Sequence, residues 1–207
     1  MELPEKTKVK ERFMKKLILA TSNQHKVKEI KRIFDDYELI TLKDLGFENE
    51  IIEDGTTFEE NALIKARAIL SWLKTNNMPI HPILAEDSGL CVNAINGEPG
   101  INSARYSGGD SEANRQLLLS KLKDTSDRSA FFQCSMILMF EDGSYKSEVG
   151  KCFGEITKEK IGDESFGYDC IFLSKDLNKV FGLATADEKD AVSHRAVALT
   201  KIKKHLL

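Results

Sequence analysis

Residues 130–140 form a long, apolar, β-rich run, and Asp142-Gly143 turns it directly into a second β-rich stretch over residues 145–153. Two such runs joined by Asp-Gly predict an antiparallel hairpin. The rest of the chain alternates. Short apolar runs at residues 16–20, 39–42 and 83–85 are separated by segments of helical period. A further short strand is predicted at 91–94 and another at 171–173. A β-α-β-α-β succession with an antiparallel hairpin inserted before the last helix predicts an α/β fold: a long mixed β-sheet with helices on both faces, open to division into two lobes.

The helices follow from apolar spacing. Val27, Ile30 and Phe34 share one face of a first helix. Thr57-Phe58-Glu59-Glu60 reads as a capping box. It opens a long helix with Phe58, Ala62, Ala66, Ile69 and Leu73 on its buried stripe. A helix over 111–122 turns Leu118 and Leu122 inward. Ser193 caps a last helix that aligns Leu199, Ile202 and Leu206.

The chain has 207 residues, enough for one sizeable domain, and a formal net charge of −3. That balance gives no support for nucleic-acid or membrane-surface binding, and no stretch has transmembrane length. Basic residues crowd the start (Lys6, Lys8, Lys10, Arg12, Lys15, Lys16), so residues 1–15 read as a solvated basic extension and 16–207 as the domain. The apolar run at 17–20 is too short for a signal peptide. Cys91, Cys134, Cys152 and Cys170 are widely spaced in apolar surroundings and read as reduced core thiols of a cytoplasmic protein.

Several groups carry chemistry. The short apolar run that begins at Ile83 reads as a buried strand ending in Glu86-Asp87, followed by Ser88-Gly89. Carboxylates at the end of a buried strand need a cation or a donor, and ligands bind beyond strand ends in open α/β sheets. Asp87 is therefore placed to hold a metal or take a proton. Asp87-Ser88-Gly89 equally has the composition of a turn. Thr21-Ser22-Asn23-Gln24-His25-Lys26 lies at the first strand-to-helix turn, where hydroxyls, amides, helix N–H groups and a lysine suit phosphate; it also reads as an ordinary cap. Glu53 is a second carboxylate for magnesium or part of a solvated acidic loop. Phe166-Gly167-Tyr168-Asp169 offers a ring for stacking on a base and an acceptor beside it, or a loop anchored by aromatics. Glu188-Lys189 and Ser193-His194-Arg195 straddle the start of the last helix, where cations oppose the helix dipole and call for an anionic or carbonyl partner. His25, His81 and His205 read as surface residues.

In order and spacing these motifs resemble the inosine triphosphate pyrophosphatase family. They are Thr-x-Asn-x-x-Lys, Glu-Asp-Gly-x-Thr-Phe-Glu-Glu-Asn-Ala, Asp-Ser-Gly-Leu, Pro-Gly-Ile-x-Ser-Ala-Arg-Tyr-Ser-Gly, Phe-Gly-Tyr-Asp and Glu-Lys-x-x-x-Ser-His-Arg. The resemblance runs from about Lys16 to the C-terminus. It implies a homodimer whose subunits have two lobes around a nucleotide cleft, and magnesium-dependent hydrolysis of ITP, dITP and XTP to the monophosphate and pyrophosphate. It implies that Thr21, Ser22, Asn23, Gln24, His25 and Lys26 hold phosphates and that Glu53 and Asp87 bind magnesium. Asp87 also becomes the general base, and Ser88 touches substrate. Phe166, Gly167, Tyr168, Asp169, Lys189, His194 and Arg195 receive base, sugar and phosphate. Donors from His194 or Arg195 pairing with a six-position carbonyl would reject adenine. Ser22, Asn102, Cys170 and Gly182-Leu183 depart from the commonest pattern without removing a residue assigned to chemistry. Two other classes fit the residues: a Maf-like pyrophosphatase of modified nucleotides, and a non-catalytic nucleotide-sensing module.

Overall fold

The computed structural model describes residues 14–162 and 166–206. The expected basic extension therefore lies almost wholly outside the described residues. Strands β1 (Lys15–Leu19), β2 (Tyr37–Ile40), β3 (Ile83–Val92), β4 (Ser129–Met139), β5 (Tyr145–Ile156), β6 (Phe172–Ser174) and β7 (Lys179–Val180) form one mixed sheet in the order β2-β1-β3-β4-β5-β6-β7. β2, β1 and β3 are parallel, and the pairs from β3 onward are antiparallel. The helices are α1 (Gln24–Ile33), α2 (Leu42–Leu45), α3 (Phe58–Thr75), α4 (Ser111–Lys121), α5 (Ala186–Val192) and α6 (His194–Lys203). No helix among the described residues is long and apolar enough to cross a membrane.

Strand alternation sorts the core. Leu17 and Leu19 face α1 and α6, packing with Ile30, Phe34, Leu199 and Ile202. Ile18 and Ala20 face the other way, onto Ala62, Ala66, Ile69 and Leu73 of α3. A third core lies toward the far end of the hairpin, where Leu90, Val92, Phe132 and Cys152 meet Leu118 and Leu122. β3 runs from the first pair of cores into the third: Leu84 and Ala85 belong to the former, Leu90 and Val92 to the latter. Glu86, Asp87 and Ser88 occupy the waist between them. Two lobes on one sheet thus meet at the sequence that carries the carboxylates.

Several local expectations need correction. Residues 83–92 are one strand, so Asp87-Ser88-Gly89 is not a turn; these residues pair with Ser135, Cys134 and Gln133 of β4. Gly89 serves close approach instead. A Cβ there would meet the Gly100 carbonyl oxygen and Ser103 Oγ at 2.4 Å. The second strand ends at Ile40, and Leu42 starts α2 because Thr41 and Asp44 form a capping box. Thr57 caps α3, but Glu60 turns to Thr56, accepting from its N–H and hydroxyl at 2.7 Å each. Glu188 and Lys189 are not at the start of the last helix. They lie in the separate helix α5, capped by Thr185, with Lys189 in its last turn, where the dipole favours a cation. The four cysteines are buried and free.

Candidate active site

A cleft of about 710 Å³ opens at the waist. β1 ends at Leu19 while β3 continues past it, so the segment after β1 leaves the sheet beside the exposed flank of Glu86, Asp87 and Ser88. Asp87 is buried, and two side chains contact its carboxylate. Asn61 Nδ2 donates to Oδ2 at 3.2 Å, and Lys65 Nζ approaches Oδ1 at 3.4 Å. Asn61 and Lys65 are four apart on α3, hence on one face. The Gly55 N–H donates to Asn61 Oδ1 at 2.9 Å, which fixes the amide with its NH₂ toward Asp87. Lys65 Nζ also reaches Glu53 Oε2 at 2.8 Å, so both carboxylates meet one ammonium. Burial raises the Asp87 carboxyl above its usual range against the pull of Lys65 and Lys26, and Glu53 adds to the rise.

Glu86 points away from this group. Burial alone would raise its carboxyl, but Arg195 and Lys26 hold it well below the ordinary range. From it runs a chain of alternating charge. Lys26 Nζ lies 2.9 Å from Glu86, and Glu86 lies 3.2 Å from Arg195 Nε. Arg195 Nη1 bonds Glu29. Glu29 lies 3.7 Å from Lys189, which pairs with Asp169 at 2.5 Å. The chain ties α1, β3, α5, α6 and the loop before β6 together. Arg195 Nη2 also donates to Ser88 Oγ at 2.9 Å. Arg195 is fully buried and internally bonded on all three nitrogens, a structural role that the sequence reading did not give it.

The turn after β1 is a built cap. Asn23 Oδ1 accepts from the N–H groups of His25 and Lys26 at 3.0 and 3.3 Å, and Thr21 Oγ1 accepts from the Asn23 N–H at 3.2 Å. Two of the helix N–H groups expected to face an anion are thus taken by Asn23. Thr21, Ser22, Asn23, Gln24 and Lys26 line the cleft; His25 stands at its edge and stacks on Phe166, with ring centroids 4.9 Å apart. His25 is exposed, as expected of a surface residue, and it has a ring partner in Phe166. Phe166 is 36% exposed, whereas Tyr168 is buried, its hydroxyl donating to the Ser103 carbonyl at 2.8 Å. His194 lies flat on Phe132 at 4.9 Å, and its Nδ1 is buried without a hydrogen-bond partner. Burial, then Arg195 and Lys189, push its pKa well below the usual value, so the ring is neutral.

All residues expected in the site except His25 line this one cleft. Asn61, Lys65 and Glu29 were missed. The signal for the first two was present, since both stand beside Ala62 and Ala66 on the stripe that α3 buries.

A model of the Ham1 family matches residues 17–205. The chain belongs to the Ham1 family. A dITP/XTP pyrophosphatase of Clostridium perfringens is 43% identical over 199 residues, covering 93% of this chain and 98% of the relative. One from Bacillus subtilis is 42% identical over 200 residues, covering 94% and 98%. Among solved structures, the Staphylococcus aureus Ham1 protein superposes with a TM-score of 0.82 at 39% identity, covering 93% of this chain and 98% of that one. A nucleoside-triphosphatase (dITP/XTP pyrophosphatase) of Mycobacterium abscessus gives a TM-score of 0.71 at 38% identity, covering 90% and 97%.

Proposed function

We propose that this Ham1-family protein hydrolyses non-standard purine nucleoside triphosphates (ITP, dITP and XTP) to the monophosphate and pyrophosphate. The observation that carries the chemistry is Asp87, a buried carboxyl of raised pKa held by Asn61 and Lys65 in the waist of a cleft. A raised pKa suits a general base near neutral pH. Asp87 would take the proton of the attacking water, and Asn61 keeps its second oxygen oriented. Lys26 and Lys189 would meet charge that develops on the phosphates.

Among the described residues no three His, Cys, Asp or Glu side chains converge as a metal cage. Glu53 and Asp87 converge on one cation, Lys65, and a pair of carboxylates fits magnesium, which fills its other positions with water and phosphate oxygens. Bound there, the ion would neutralise phosphate oxygens and acidify water.

Phe166, at the cleft mouth, would stack on the base. His194 offers an unpartnered polar atom at a fixed, neutral ring and is our reader of the purine edge. Free buried thiols support a reducing cytoplasm. The family resemblance implies a homodimer, and the apolar sheet face of Phe131 and the 54%-exposed Phe153 is the surface we would assign to it.

The test is pyrophosphate release from a panel of ITP, dITP, XTP, ATP, GTP and modified pyrimidine triphosphates, with wild type and Asp87→Asn. Selective release from the first three, reduced at least about 100-fold in the variant, is expected. Turnover confined to pyrimidines, or an active variant, overturns the proposal.

A further inference from the structure

The cations of the cleft are already spent on carboxylates. Lys26, Lys65, Lys189 and Arg195 face five acids: Glu29, Glu53, Glu86, Asp87 and Asp169. This set has no surplus positive charge with which to draw in a polyphosphate. Lys43 also lines the cleft and likewise has no side-chain hydrogen bond or ion pair among the described residues, but its chain neighbour Asp44 feels and offsets its charge. Arg105 has no acidic chain neighbour. It is exposed, lines the cleft from the second lobe, and among the described residues its side chain has no hydrogen bond or ion pair.

Its backbone, by contrast, is fastened. Arg105 ends the short 3₁₀ helix Gly100–Arg105. The Leu90 N–H donates to Ser103 Oγ at 2.9 Å, and that hydroxyl donates to the Gly100 carbonyl at 2.6 Å. Gly89 admits this helix against β3 one residue beyond Ser88 and two beyond Asp87. On its other side, Tyr168 holds the Ser103 carbonyl. A rigid base next to the carboxylate strand therefore presents Arg105, an uncommitted cation, at the lining of the cleft. A guanidinium matches phosphate oxygens through paired, charge-assisted hydrogen bonds.

We propose that Arg105 binds the phosphate chain of the bound triphosphate, supplying the unmatched positive charge that the paired cations of the cleft do not. This rests on the reading of the cleft as a nucleoside triphosphate site, and the experiment separates the two.

Wild type, Arg105→Gln and Arg105→Lys are compared for ITP turnover, for inhibition by magnesium pyrophosphate and for inhibition by inosine, which has no phosphate. Arg105→Gln should raise KM for ITP and the pyrophosphate inhibition constant by about 10- to 100-fold, the span of a lost charge-assisted bond. Inosine inhibition and the thermal midpoint should not move, and Arg105→Lys should recover part of the loss. Unchanged pyrophosphate inhibition with wild-type turnover intact overturns the Arg105 role alone. Inosine inhibition weakened as much as pyrophosphate inhibition overturns it in favour of a base contact. Absence of wild-type turnover on any purine triphosphate overturns both readings.

Discussion

Lys65 Nζ stands 3.4 Å from Asp87 Oδ1, and the same nitrogen holds Glu53. One ammonium thus offsets two carboxylates at the waist of the cleft. Its own pKa is raised because Asp87 and Glu53 outweigh the effect of burial. Lys65 opposes the burial that raises Asp87, so its removal raises Asp87 further. A base acts only when ionised, and activity rises with pH through its pKa. Lys65→Met should therefore move the acid limb of kcat/KM toward higher pH, by about one pH unit or more. The pH–rate profile measures this directly, and an acid limb left in place would show that Lys65 does not tune the base.

Arg195 was read from the sequence as a donor to the base, but its three nitrogens bond Glu86, Glu29 and Ser88. Arg195→Ala breaks two buried ion pairs at once and leaves Glu86 with Lys26 alone and Glu29 with Lys189 alone. Breaking a buried pair costs about 3–5 kcal/mol, so a large fall in the thermal midpoint is expected. His194→Phe keeps the stack on Phe132 and removes the unpartnered Nδ1. It should narrow the preference for ITP over ATP about tenfold at nearly unchanged midpoint. Equal kcat/KM ratios in His194→Phe and wild type would place base reading elsewhere.

Glu86 gives a pH signature of its own. Its folded pKa lies well below the ordinary 4.5, so its stabilisation is present above that value and fades as pH falls toward the folded pKa. Glu86→Gln removes this charge-dependent stabilisation. The gap in thermal midpoint between wild type and variant should be wide at pH 7 and close as the pH drops below 4.5. A gap that persists at low pH would mean that packing, not charge, holds the residue.

The strand-and-helix alternation was legible because apolar period is a local property. Residues 130–140 and 145–153 announced the hairpin, and Leu17 to Ala20 the first strand. The long strand through Asp87 was not legible. Its polar middle has turn composition, and only pairing with β4 keeps Asp87-Ser88-Gly89 extended. Helix α5 was missed because its seven residues carry no apolar stripe. Within the site, residue types located the cleft, but partners were invisible. That Lys26 faces Glu86, that Lys189 faces Asp169, and that Arg195 is internally bonded are facts of long-range placement.

Gly89 tests how tightly the second lobe must sit on the strand of Asp87. A Cβ at this position would come within 2.4 Å of both the Gly100 carbonyl oxygen and Ser103 Oγ, and within 3.0 Å of the Phe58 ring. The first of these is backbone and cannot rotate away. Ser103 Oγ is held in place, accepting from Leu90 and donating to Gly100. Gly89→Ala must therefore push the Gly100–Arg105 helix off β3, at about 1–3 kcal/mol for an overpacked contact. The same shift moves the Ser103 carbonyl that anchors Tyr168, and with it the loop bearing Phe166. The expected result is a lower thermal midpoint together with a raised KM for ITP. Ser103→Ala is the companion variant: it removes the hydroxyl without forcing the helix away, so its loss of stability should be smaller and its KM closer to wild type. A Gly89→Ala protein with wild-type midpoint and KM would show that the waist tolerates a side chain and that the close approach is not needed for the cleft.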